Sequence, residues 1–161
     1  MVKAVFFDLG DTLINEETGG LLPYAREVLR RLRSEGYRLA LICNATTATG
    51  KEVREILRNA RIEEFFDAVM VSTDVGYRKP DEGIFRIALE RLGLQAEQVA
   101  MVGNRVSSDI LGGNRVGMTT VLVKWNARYP EEVTGELERP NYTIGSLREL
   151  LPIILGEDPR R

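Results

Sequence analysis

The 161-residue chain contains no histidine and a single cysteine, Cys43. The first absence removes the commonest general base and metal ligand, so catalysis has to rest on carboxylates, Lys, Ser, Thr, Tyr or that one thiol. Histidine-dependent serine triads and zinc-histidine sites are excluded. The second absence excludes a disulfide framework and a cysteine-based zinc site, which need several thiols together, and points to a reducing compartment. Charge of one sign is missing too: 22 basic against 24 acidic residues leave a net charge of −2, no footprint for nucleic acid or anionic lipid. No run approaches the ~20 apolar residues that a membrane span requires. The first apolar stretch ends at Asp8, too early for a secretory signal. The expectation is a soluble, cytoplasmic protein without nucleic-acid or membrane partners.

What is present is the composition of a folded domain, 43% hydrophobic and 29% charged. Short, almost uninterrupted apolar runs at Lys3–Leu9, Tyr37–Cys43, Asp67–Ser72, Gln98–Gly103 and Thr119–Lys124 read as strands buried on both faces, the signature of a parallel sheet. Amphipathic stretches at about residues 23–35, 50–60, 82–92 and 106–116 read as the intervening helices. A short strand at Asn141–Ile144 and a last helix near 147–155 complete the pattern. Thr49 with Glu52, and Ser146 with Glu149, have capping-box spacing. The prediction is a three-layer, doubly wound, Rossmann-like α/β fold, with a mainly parallel sheet and helices on both faces. With no internal repeat or linker, residues 1–156 form one expected domain and 157–161 a charged tail.

Four features fall at the carboxyl ends of these strands, where open α/β sheets bind ligands. They are Asp8-Leu9-Gly10-Asp11-Thr12, Cys43-Asn44, Lys79-Pro80, and Gly103-Asn104 with Asp109. Carboxylates beside a buried strand end are costly unless compensated, and a hard divalent cation such as Mg²⁺, which takes oxygen ligands, would compensate them. A lysine facing them would hold an anion, and phosphate suits it.

In this order and spacing, FFDLGDTL, LICN, GYRKPDEGIF and VGNRVSSDILGGNRVGM resemble the motifs of the haloacid dehalogenase (HAD) superfamily, over nearly the whole chain. The resemblance implies a Mg²⁺-dependent phosphatase working through an aspartyl-phosphate on a phosphomonoester or acyl phosphate. In it Asp8 is the nucleophile, and Lys79 holds Asp8 and the phosphate. Asp8, the Gly10 carbonyl, Asp109 and Asn104 ligate magnesium, while Asn44 and the backbone around Cys43 line the phosphate pocket. The larger members' cap domain is absent from both of its usual insertion points. An uncapped site implies a bulky phosphorylated substrate, or a lid supplied by the second subunit of a homo-oligomer.

Three positions depart from the family pattern. Gly10 stands where the phosphatases carry the aspartate that protonates the leaving group, a loss of ~10²–10⁴-fold that activated phosphates would feel least. Asp11, one residue along, is the candidate stand-in acid and base. Cys43 replaces a hydroxyl with a weaker donor, and Asn104 replaces an acidic ligand with a neutral one. The runner-up is therefore a catalytically attenuated phosphate- or protein-binding module on the same fold. A third reading, a receiver-like module, needs an aspartate after the third strand, where Ser72 stands.

Overall fold

The computed structural model describes residues 1–129 and 131–157. Its strands are β1 (Ala4–Phe7), β2 (Arg38–Cys43), β3 (Ala68–Val71), β4 (Val99–Gly103), β5 (Thr119–Val123) and the short, largely exposed edge strand β6 (Tyr142–Ile144). The helices are α1 (Ala25–Ser34), α2 (Gly50–Asn59), α3 (Ser72–Val75), α4 (Glu82–Leu92), α5 (Leu111–Val116) and α6 (Leu150–Leu155). Every strand pair is parallel, in the order β3-β2-β1-β4-β5-β6.

Alternation along the strands builds both faces of the sheet. Val5 and Phe7 point into a cluster with Leu29 and Leu32 of α1, Leu57 of α2 and Ile154 of α6. Ala4 and Phe6 point the other way, against Phe85 and Leu89 of α4 and Met118 after α5. The three-layer α/β architecture follows from this two-sided burial. No second folded unit interrupts the chain between β1 and α1 or between β2 and β3, and no helix is long and apolar enough to cross a membrane among the described residues.

Two helices differ from the sequence expectation at their starts. The stretch near 106–116 opens as a π-helical turn, Val106–Ile110, before α5, because the Arg105 carbonyl accepts from both Asp109 N (2.9 Å) and Ile110 N (3.2 Å). The stretch near 147–155 opens as a 3₁₀ turn, Leu147–Glu149. The expected capping boxes are each half formed. Thr49 Oγ1 accepts from Glu52 N but donates to the Glu52 carboxylate. Ser146 Oγ accepts from Arg148 N while Glu149 reaches back to Gly145 N. Of the expected charged tail only Glu157 lies within the described residues; 158–161 lie outside them.

From β1 the chain winds outward through β2 to β3, then returns to place β4 on the other side of β1. The carboxyl ends of β1 and β4 are thus neighbours across a reversal of winding, joined by Asp8 N donating to Val102 O (3.0 Å). Such a reversal leaves a crevice above the strands. A receiver-like sheet has the order 2-1-3-4-5, which this sheet does not share.

Below the crevice α5 packs tightly on α4. A Cβ on Gly112 would lie 2.3 Å from the Phe85 ring and 3.2 Å from Pro80 Cα. Gly112→Ala is expected to destabilise the fold by about 1–3 kcal/mol, measured as a lower urea midpoint with an unchanged slope.

Candidate active site

Lys79 enters the crevice from the loop before α4, and its side chain is only 2% exposed. Its ammonium donates to Asp8 Oδ1 (2.8 Å), Asp109 Oδ1 (2.6 Å) and the Ile42 carbonyl (2.7 Å), one acceptor for each N–H. Burial works against the charge, but the Asp109 and Asp8 carboxylates outweigh it and raise the lysine pKa above its ordinary value. The Asp109 carboxyl is pushed up to about 6, first by burial and then by the Asp8 charge, against the pull of Lys79. One lysine shared by two carboxylates leaves the cluster one negative charge over.

The backbone around the cluster is shaped to fit it. Asn44 Nδ2 donates to the Lys79 carbonyl (2.9 Å) and Asn44 Oδ1 accepts from Lys79 N (2.8 Å), so the side chain expected in the phosphate pocket clamps the lysine's main chain. The π turn swings Asp109 inward, where Oδ2 accepts from Arg105 N (3.1 Å). A Cβ on Gly103 would lie 2.3 Å from the Asp109 carboxyl carbon, so only glycine leaves it room. Cys43 lines the same space as a neutral thiol, pushed up to about 11 by burial and the Asp8 charge.

Asp8 Oδ2 faces a different set of atoms. The Asn104 amide is 2.9 Å from it and 3.2 Å from the Gly10 carbonyl oxygen. With its nitrogen turned inward Asn104 donates to both; turned over, it completes a cradle of three oxygens. Carboxylate, carbonyl and amide oxygens are the hard donors that Mg²⁺ takes. Among the described residues no three His, Cys, Asp or Glu side chains gather as a metal cluster, so neutral oxygens would form most of this one. Asp109, expected among the ligands, accepts from Lys79 Nζ and from Arg105 N through its two oxygens, which places Lys79 and sets a further carboxylate beside the cradle.

Asp11, the expected stand-in acid, is fully buried and does not line the cavity above Asp8. With φ at 55° its side chain turns under the loop after β5. There Oδ2 accepts from Arg128 Nε and from Asn126 Nδ2 (3.3 Å), and Oδ1 accepts from Glu16 N (2.9 Å). Burial would raise its pKa, but these hydrogen bonds and the Arg128 charge lower it, the wrong direction for an acid. Trp125 Nε1 donates to the Asp11 carbonyl (2.8 Å), which completes the latch. The residue that does stand before Gly10 is Glu16, unmarked by any motif. A Cβ built on Gly10 would meet Glu16 Oε1 at 2.6 Å. The available signal was an acidic residue in the irregular stretch after a strand whose expected acid is missing.

A haloacid dehalogenase-like hydrolase family profile matches residues 16–117. The chain belongs to the haloacid dehalogenase-like hydrolases. A glyceraldehyde 3-phosphate phosphatase of Methanothermobacter thermautotrophicus is 42% identical over 80% of this chain and 58% of its own. The crystal structure of a HAD phosphatase from Thermococcus onnurineus superposes with a TM-score of 0.82 at 24% identity, covering 97% of this chain and 99% of the other. A Bacillus subtilis protein, YfnB, described as a HAD-hydrolase and solved bound to magnesium, gives 0.73 at 26% identity, over 86% and 58%. The chain spans about half the length of the curated relatives it matches.

In this HAD-like chain the site opens into a cavity of about 1280 Å³, whose lining includes Asp8, Lys79 and Asn104 together with Arg26, Arg30 and Arg61. Removing the lysine strands two carboxylates, so Lys79→Met is expected to cost about 3–5 kcal/mol in urea unfolding, part of it recovered by adding Asp109→Asn. Asp11 contributes stability that is present above its unfolded pKa and lost as pH falls through the lower folded value. Wild type should therefore lose more stability than Asp11→Asn on acidification below about pH 4, measured by thermal denaturation.

Proposed function

We propose that the chain is a cytoplasmic, Mg²⁺-dependent phosphatase that hydrolyses a phosphomonoester or acyl phosphate through an aspartyl-phosphate on Asp8. The observation that carries it is the buried Lys79 bridging Asp8 and Asp109 at the switch point of the sheet. Asp8 Oδ2 faces the Gly10 carbonyl and Asn104, which leaves Oδ1 as the oxygen directed at phosphorus. Lys79 fixes that oxygen and offers its charge to the incoming phosphoryl group, the preorganised electrostatics that phosphoryl transfer needs.

Magnesium would be held by Asp8 Oδ2, the Gly10 carbonyl and Asn104 Oδ1, and would supply the positive charge that lets a phosphate dianion approach a cluster otherwise negative. Asp109 holds Lys79 at the right depth, Asn44 holds its peptide, and Cys43 offers the pocket a small neutral surface. The arginines lining the cavity favour a leaving group that bears negative charge or hydrogen-bond acceptors. Relatives named as glyceraldehyde 3-phosphate phosphatases are consistent with such a substrate. Residues 1–156 serve as one domain, and without an inserted cap the site admits a bulky leaving group as well.

Phosphate release from acetyl phosphate and p-nitrophenyl phosphate, with and without Mg²⁺, tests the reading. Release is expected to require the metal and to fall by ~10³-fold or more in Asp8→Asn. Release unchanged in Asp8→Asn would overturn it.

A further inference from the structure

The Glu16 carboxylate stands where a side chain at position 10 would project, with Oε1 2.6 Å and Cγ 2.9 Å from the place of that Cβ. Glu16 lines the same cavity as Asp8 and Lys79. Its two oxygens are treated differently. Oε2 accepts from the Tyr129 hydroxyl (2.8 Å) and lies 3.9 Å from Arg128 Nε. Oε1 accepts no hydrogen bond among the described residues, so one oxygen is anchored and the other is open to the cavity.

The loop that carries Glu16 is fixed from both ends. Asp11 Oδ1 accepts from Glu16 N, and Asn15 N donates to Gly20 O (2.8 Å) to close the turn that follows. Tyr129 is in turn covered by the Arg105 guanidinium, 4.0 Å from its ring centroid, and Arg105 donates from Nε to Glu131 Oε1 (3.0 Å). Glu16 is thus tied at its backbone and at one carboxylate oxygen while its side chain keeps 38% of its exposure.

We infer that Glu16 is the general acid and base of this site, reaching from the neighbouring turn into the space that Gly10 leaves. The inference rests on Asp8 as the nucleophile. As Asp8 Oδ1 bonds to phosphorus and the bond from phosphorus to the leaving oxygen breaks, that oxygen takes the proton of the Glu16 carboxyl and departs as an alcohol. Glu16, now a carboxylate, takes a proton from water as the water oxygen bonds to phosphorus and the bond to Asp8 breaks. Inorganic phosphate leaves, and both carboxyl groups return to their starting states. Gly10 is then required for space, because any larger side chain there would displace Glu16. Asp11 and Tyr129 are positioning residues for it.

The test compares kcat/KM of wild type, Asp8→Asn, Glu16→Gln and the double variant Gly10→Asp/Glu16→Ala on two substrates: glycerol 2-phosphate, whose alkoxide needs a proton, and acetyl phosphate, whose acetate does not. Glu16→Gln is expected to lose ~10²–10⁴-fold on glycerol 2-phosphate and less than about tenfold on acetyl phosphate. With acetyl phosphate it should also accumulate phosphorylated Asp8, seen by mass spectrometry after acid quench, because the water step has lost its base. The double variant should regain at least about tenfold on glycerol 2-phosphate over Glu16→Gln. Glu16→Gln keeps the side-chain shape, and circular dichroism checks the fold. Equal losses on both substrates, or unchanged hydrolysis of glycerol 2-phosphate while Asp8→Asn is inactive, would overturn the role of Glu16 alone. Hydrolysis surviving Asp8→Asn would overturn the nucleophile and this role with it.

Discussion

A lysine ammonium with almost no exposure to water is the constraint around which this molecule is arranged. Taking such a group out of solvent costs several kcal/mol, and only well-placed acceptors repay it. Lys79 has three, and each requires something of a different element. Ile42, one residue before the end of β2, must present its carbonyl, Asp8 must follow β1, and Asp109 must turn inward from the helix after β4. The last requirement explains two local irregularities together: the π turn that rotates Asp109 toward the crevice, and a glycine at position 103 whose missing side chain gives it room. Asn44 completes the arrangement by holding both polar groups of the Lys79 peptide. The same cluster leaves one negative charge unmatched beside a point where Asp8, Gly10 and Asn104 can present three oxygens. The excess charge that burial makes costly is the charge that a divalent ion held there would neutralise.

The sheet was legible because burial on both faces leaves a strong local trace. AVFF, LALIC and AVMV carry no polar alternation, and a parallel sheet under two helical layers is the architecture that such runs satisfy. The residues at the strand ends were legible through their order along the chain, and the structure brings Asp8, Lys79, Asn104 and Asp109 to one crevice. Their finer roles were not. Asn44 has the same identity whether it faces phosphate or clamps a peptide, and only the position of Lys79 decides between these. The π turn was equally hidden, because VSSDI satisfies a helical pattern and the extra residue shows only in the hydrogen bonds of the Arg105 carbonyl.

What sequence reasoning missed lies where contacts are distant in the chain and irregular in conformation. Asp11 meets Asn126 and Arg128 across more than a hundred residues, from a loop with no periodicity to register it. Adjacent residues on an extended backbone diverge, so an aspartate one place late cannot simply swing into the vacated position. Here its left-handed backbone directs it beneath the loop after β5, and the carboxylate becomes the anchor of that loop. Gly10 and Asp11 thus bear on the same turn. The glycine opens the space and the aspartate fixes the turn from which Glu16 enters it.

The latch has a further consequence for how a substrate would arrive. β5 is separated from β1 by β4, so contacts between Trp125 or Arg128 and Asp11 pass over the end of β4, above Asn104 and Asp109. That side of the crevice is closed by a network of charged and aromatic groups that includes Tyr129, Arg105 and Glu131. The part of the cavity toward α1 and the end of α2 presents Arg26, Arg30 and Arg61. A phosphoryl group in line with Asp8 would therefore have its leaving group toward these arginines. A wall fixed by hydrogen bonds and the guanidinium groups of Arg26, Arg30 and Arg61 thus border one cavity with Asp8, Lys79 and Glu16, a lining whose basic part complements an anionic ligand.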